Sequence, residues 1–239
     1  MTLRKAGMRN IRAILFDKDG TLFDFQATWG NWAAKMIAEL AGADPALQQA
    51  MADAMAFDRA SRRFLPQSPV IAGTSEEVAA LIAPLLPPRP GGVPELMAYM
   101  TAAAANAPLW PTVPLRPLLT ALRGAGYRLG VATNDNESVA RNHVGDLAGL
   151  FDLILGFDSG HGGKPAPGML LAFARHCGLE PAQVLMVGDS RHDLEAGRAA
   201  DMATLAVLTG VAAEADLAPF ADAVRPDIGH LPALLGIAS

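Results

Sequence analysis

The stretch RAILFDKDGTL, residues 12–22, decides the fold. It opens on RAILF, a short apolar run with no polar alternation. Strands buried on both faces of a parallel sheet read this way. The run stops at Asp17-Lys18-Asp19-Gly20-Thr21, an acid-and-glycine turn. Two carboxylates at i and i+2, just off a strand, can face one side. There they can bind a hard cation and divide the roles of nucleophile and proton carrier. Gly20 lets the backbone turn sharply and approach an anion. An ordinary strand-ending turn has the same composition, since Asp and Gly are common there.

Four later segments resemble that run: residues 127–133 (YRLGVAT), 151–155 (FDLIL), 183–187 (QVLMV) and 203–207 (ATLAV). Helical patterns lie between them. Residues 137–147 follow the capping groups of Asn134-Asp135-Asn136. Residues 167–176 follow Lys164-Pro165, and proline suits a helix's first turn. Residues 191–200 follow Asp189-Ser190. Alternation at this pace predicts an α/β fold, a doubly wound parallel sheet with right-handed crossovers. Residues 25–108 break the rhythm and read as helices only, over 29–40, 45–64, a segment opening at Thr74-Ser75-Glu76-Glu77, and 91–105. Thr74 and Glu77 have capping-box spacing. The expected organisation is a core of residues 1–24 and 109–239, with a helical domain, residues 25–108, inserted after the first strand.

Composition sets the bounds. Of 239 residues, 51% are hydrophobic and 18% charged, which suits a sizeable core and argues against disorder. A net charge of −5 gives no electrostatic reason to sit on nucleic acid or an anionic membrane. The lone Cys177 permits no intramolecular disulfide, which fits a reducing compartment; it reads as a small buried residue near a helix end. Residues 1–12 are basic, but too short an apolar stretch follows for a signal peptide. No run reaches the ~20 apolar residues of a membrane span. The expected setting is cytoplasmic.

Four clusters fall at predicted strand ends, the edge where open α/β sheets bind ligands. Besides Asp17 and Asp19 there is Thr133-Asn134, whose hydroxyl and backbone N–H can hold a phosphate oxygen or cap the next helix. Lys164, in GGKP, can place its ammonium over the sheet edge or face solvent. Asp189 and Asp193, in GDSRHD, can bind metal, orient a lysine or begin a helix. Each has an ordinary alternative alone; the ordered set is much less probable by chance.

The pieces FDKDGTL (16–22), VATN (131–134), GGKPAP (162–167) and VGDSRHDLEAG (187–197) resemble the haloacid dehalogenase-like superfamily, and its phosphoglycolate phosphatase-like subgroup in particular. The helical insertion resembles that family's α-helical cap in position. The resemblance implies a phosphomonoester hydrolase that needs Mg²⁺ and acts on a small phosphorylated metabolite. By position it makes Asp17 the nucleophile that becomes an aspartyl-phosphate, and Asp19 the acid and then the base. Thr133 and the Asn134 N–H hold phosphoryl oxygens, and Lys164 neutralises charge. Asp17, the Asp19 carbonyl and Asp189 hold the metal, and Asp193 supports the metal shell or Lys164. The second acid, Asp19, argues against the dehalogenase branch. A sugar phosphomutase and a non-catalytic binding protein are the rival readings.

Position 18 departs from the family, which more often has an apolar or aromatic residue there. Alternation along an extended segment predicts that Lys18 turns away from Asp17 and Asp19 and is structural. Arg59, Arg62 and Arg63 lie on one predicted helix and either meet a substrate carboxylate or form a solvated face. His161 and His192 border the third and fourth motifs. Phe25, Trp29 and Trp32 are expected mainly to pack the insertion.

Overall fold

The structure, a computed structural model, describes residues 10–88 and 90–237. Most of the basic N-terminal stretch lies outside them. In chain order the elements begin with β1 (Ala13–Phe16), α1 (Phe25–Ala41), α2 (Pro45–Ala54), β2 (Phe57–Asp58), β3 (Arg63–Phe64), α3 (Ser75–Ile82) and α4 (Gly92–Ala105). They continue with α5 (Leu115–Gly124), β4 (Arg128–Ala132), α6 (Glu137–Val144), β5 (Leu153–Leu155) and α7 (Gly168–Cys177). The last are β6 (Val184–Gly188), α8 (Arg191–Ala199), β7 (Ala203–Val207), α9 (Glu214–Leu217), β8 (Ala223–Arg225) and α10 (Leu231–Leu235).

Six strands form one parallel sheet in the order β5-β4-β1-β6-β7-β8. The apolar run at 13–16 is its centre, fully buried along its length. Alternation along β1 divides the core in two. Ile14 and Phe16 join a cluster containing Leu119, Leu122 and Val131, whereas Ala13 and Leu15 join Phe173, Met169 and Met186 on the other face. Helix α5 and strand β8 have no counterpart in the sequence reading. Cys177 ends α7 and is half-buried rather than buried.

The inserted segment has its own apolar cluster, built on Trp29, Met36, Met51, Ile82 and Met100. Local signals fix its helix ends. Asp24 Oδ1 accepts from Ala27 N at 2.8 Å, and Thr74 and Glu77 form the expected capping box. One expectation fails here. Residues 45–64 are not a single helix, because α2 ends at Ala54 and Ala56 takes a left-handed φ of 47°. The antiparallel pair β2–β3 follows. Its driving contact is the cross-strand pair of Phe57 and Phe64, with ring centroids 4.9 Å apart, while Phe64 also packs on Phe25. Asp58 holds the turn by accepting from Ala60 N and Ser61 Oγ. No helix among the described residues is long and apolar enough to cross a membrane.

Candidate active site

The register of the sheet brings the motifs together. Phe16 pairs with Val131 on one side and Val187 on the other. The residues that follow these positions, Asp17, Thr133 and Asp189, therefore leave the sheet at one edge, where the strand order reverses about β1. Asp17 N donates to Val187 O at 2.8 Å, holding the first motif beside β6.

Lys164 reaches this point from the loop before α7. Its Nζ donates to Asp17 Oδ1 at 2.5 Å, Asp193 Oδ1 at 2.6 Å and Ala132 O at 2.8 Å. All three of its protons are engaged. Burial opposes the charged ammonium, but Asp17 and Asp193 outweigh it and hold its pKa above the ordinary lysine range. Asp193 is held in turn: its Oδ2 accepts from Ser190 N at 3.0 Å and Ser190 Oγ at 2.6 Å. One residue thus caps α8 and orients the lysine.

Asp17, Asp189 and Asp193 offer carboxylate oxygens within 4.8 Å of one another. Both oxygens of Asp193 already have partners, which leaves Asp17 and Asp189 as donors. Burial pushes the Asp17 carboxyl up; Lys164 opposes this and the charges of Asp193 and Asp19 add to it, leaving it at about 7. Burial, reinforced by Asp17 and Asp193, pushes Asp189 well above the carboxylate range. One lysine is too little positive charge for these acids. The donor set contains only oxygen, as Mg²⁺ prefers. The cradle is closely fitted: a Cβ at Gly20 or at Gly210 would intrude on the Asp189 carboxylate. Thr209 Oγ1 donates to Gly20 O at 2.5 Å and ties the two loops together.

The backbone at Lys18 corrects the sequence reading. Leu22 N and Phe23 N both donate to Lys18 O, and Gly20 has a φ of 84°. The chain therefore coils after Asp17, and strand alternation no longer sets directions. Lys18 is fully buried, and its Nζ lies 2.6 Å from Asp19 Oδ2 and 3.2 Å from Asp135 Oδ2. It also lies 3.0 Å from His143 Nδ1 and 5.2 Å from the centroid of the Trp29 ring. An ammonium can only donate, so His143 Nδ1 accepts and its Nε2–H donates to Ala104 O at 2.8 Å. Burial, then the Lys18 charge, holds the His143 pKa down, in keeping with this neutral ring. Burial alone would lower the Lys18 pKa too, but Asp19 and Asp135 raise it. Asp19 Oδ1 is buried without a hydrogen-bond partner.

Thr133 and Asn134 stand where β4 ends. Thr133 Oγ1 accepts from Asp135 N at 3.1 Å. The Asn134 amide donates to Lys164 O and, at 2.8 Å, to Ala72 O of the inserted segment, while its Oδ1 accepts from Lys164 N. Above these residues lies a cleft with about 720 Å³ of free space, counting its mouth. Asp17, Asp19, Thr133, Asn134, Lys164 and Asp189 lie at its base. Phe25, Trp29 and Trp32 line it as well as packing the insertion, and so does His192, but not His161. Arg59, Arg62 and Arg63 do not reach it. They are exposed on the β2–β3 hairpin, where Arg59 bonds the side chains of Gln48 and Gln49, and Arg62 Nη1 donates to Asn31 Oδ1 at 3.3 Å. The sequence reading missed Asp135, His143, Thr209 and Gly210. The signal for the last two was a glycine after one more strand on the same sheet edge.

The family model for haloacid dehalogenase-like hydrolases matches residues 11–201, and the chain belongs to that family. The phosphoglycolate phosphatase of Neisseria meningitidis serogroup A is 41% identical over 118 residues, which span 48% of this chain and 50% of that protein. The phosphoglycolate phosphatase of Salmonella typhi is 28% identical over 223 residues, 85% of this chain and 83% of that one. The hydrolase is accordingly a phosphatase, similar to these. The fold is shared with CbbY of Rhodobacter sphaeroides, solved in complex with phosphate, at a TM-score of 0.68 and 21% identity over 95% of this chain and 99% of that one.

Proposed function

We propose that the chain is a Mg²⁺-dependent phosphomonoesterase working through an aspartyl-phosphate on Asp17. The observation that carries this is Lys164, whose Nζ grips Asp17 Oδ1 while Asp193 and the Ala132 carbonyl fix the ammonium. That contact leaves one Asp17 oxygen for chemistry and places a permanent positive charge beside it. Asp17 attacks phosphorus, and its new bond forms as the bond to the alcohol oxygen breaks. Asp19 gives its proton to that oxygen, so an alcohol departs. Asp19 then takes a proton from water, which attacks the same phosphorus and releases phosphate and Asp17. The unpartnered Asp19 Oδ1 is the oxygen free for both transfers, since Lys18 holds Oδ2. Thr133 Oγ1 and the Asn134 N–H steady the phosphoryl oxygens, and Lys164, its protons engaged, contributes its fixed positive charge beside them. Phosphoryl transfer asks for this kind of positioning and charge.

Asp17, Asp189 and the Asp19 carbonyl would hold Mg²⁺, which when bound supplies positive charge to the acids and to the phosphoryl oxygens. Residues 25–108 serve as a cap over a core of residues 1–24 and 109–239, excluding bulk water and meeting the alcohol. The apolar walls of the cleft offer few partners for a sugar's hydroxyls, which favours hydrolase over mutase. The test is phosphate release from a panel of phosphorylated metabolites with Mg²⁺, together with hydroxylamine trapping of an acyl-phosphate at Asp17. Release from no ester, or release with no dependence on Asp17, overturns the proposal.

A further inference from the structure

The residues at the base of the cleft handle a phosphate common to any ester. Its walls must choose the alcohol. Those walls are apolar, with Phe25, Trp29 and Trp32 contributed by α1, Ile71 by the loop before α3, Val78 by α3 and Met100 by α4. Among the described residues, the basic side chains lining the cleft are Lys164 and His192. Lys164 has committed all three protons to Asp17, Asp193 and the Ala132 carbonyl. His192 stands on the core side, three residues after Asp189. Asp17, Asp19, Asp135 and Asp189 share the cleft's base. A carboxylate on the alcohol would therefore lose its water against apolar walls and approach a cluster of acids. Desolvation without a partner is the costliest environment for such a group. The hairpin arginines lie outside the cleft, where Arg59 and Arg62 bond glutamine and asparagine side chains. Trp32 is only 8% exposed and its Nε1–H has no partner, which adds one uncharged donor and no charge.

We infer that the preferred substrate is the phosphate monoester of an uncharged, largely apolar alcohol of aromatic or branched-alkyl size, and that a small carboxylated ester such as phosphoglycolate is disfavoured. This inference rests on the phosphomonoesterase reading above. The test compares kcat/KM of the intact protein with Mg²⁺ on 2-phenylethyl phosphate and on 2-phosphoglycolate. Both are primary alkyl esters, so leaving-group chemistry is closely matched. The expected result is a preference of about tenfold or more for the phenylethyl ester, the effect of burying one ring. Equal values, or a preference for phosphoglycolate, overturn the inference and leave the phosphatase reading standing. Release from neither ester, and none from p-nitrophenyl phosphate, removes both. Half-buried Ile71 allows a second arm. Ile71→Arg installs the missing cation in the wall and is expected to shift the ratio toward phosphoglycolate by about tenfold. A folded variant with an unchanged ratio overturns the charge argument.

Discussion

Lys18 Nζ lies 2.6 Å from Asp19 Oδ2, although the two residues are adjacent and the lysine is fully buried. The contact exists because the chain coils immediately after Asp17, carrying the lysine stem beneath the second acid rather than to the opposite face. The same ammonium touches Asp135 and His143, so a charged network underlies the proposed proton carrier.

Lys18→Met leaves Asp19 and Asp135 buried without a counter-charge. Breaking a buried pair costs about 3–5 kcal/mol, readable by urea denaturation. The variant is expected to lose more kcat on an alkyl phosphate than on p-nitrophenyl phosphate, because only the poor leaving group depends on a well-placed Asp19 proton. An equal loss on both esters would make Lys18 a purely structural residue.

The metal dependence carries a pH signature. Asp17 and Asp189 are raised in the folded protein, so between the ordinary aspartate pKa and about 7 the folded state binds more protons than the unfolded one. Stability of the metal-free protein should therefore fall as pH rises through that window. Mg²⁺ needs the ionised carboxylates, so its stabilising effect should grow over the same range, reaching about 2.7 kcal/mol at a hundredfold excess over Kd. Thermal melts with chelator or Mg²⁺ from pH 4 to 8 check this; a Mg²⁺ increment independent of pH contradicts it.

Asp17→Asn should abolish turnover, by about a thousandfold or more, while the protein stays folded. An amide cannot serve as the anionic nucleophile, yet Lys164 keeps Asp193 and the Ala132 carbonyl. Single-turnover phosphate release on the purified variant measures it.

Gly210→Ala tests the cradle. A Cβ there collides with the Asp189 carboxylate, and the backbone φ is not left-handed, so the effect is steric. Mg²⁺ affinity, read from the activity titration, is expected to fall about ten- to a hundredfold. Ala at the open position Gly149, where a Cβ meets nothing, serves as the neutral control.

The arginines are expected to be bystanders. Arg59→Ala, Arg62→Ala and Arg63→Ala should each shift stability by no more than about 0.5 kcal/mol and leave KM nearly unchanged. A selective rise in KM for an acidic ester would bring the hairpin back into substrate recognition.

Five of the sheet's six strands and the order of the four motifs were legible in the sequence. Runs such as AILF and VLMVG are apolar on both faces, and each ends in residues that cannot continue a buried strand. Parallel pairing then leaves those ends at one edge whatever the details. The capping box at Thr74 was legible because partners three residues apart act within one turn, and Asp189 or Ser190 was legible as the start of α8. Tertiary structure decided the rest. The hairpin at 57–64 replaces a helix because Phe57 and Phe64 meet each other and Phe25, contacts that helical spacing does not encode. Lys18 points beneath Asp19 because Asp135 and His143, more than a hundred residues away, draw its ammonium into the interior. The apolar cleft joins α1, α3 and α4 to the ends of β1, β4 and β6, and no local pattern in the chain records that those surfaces face one another.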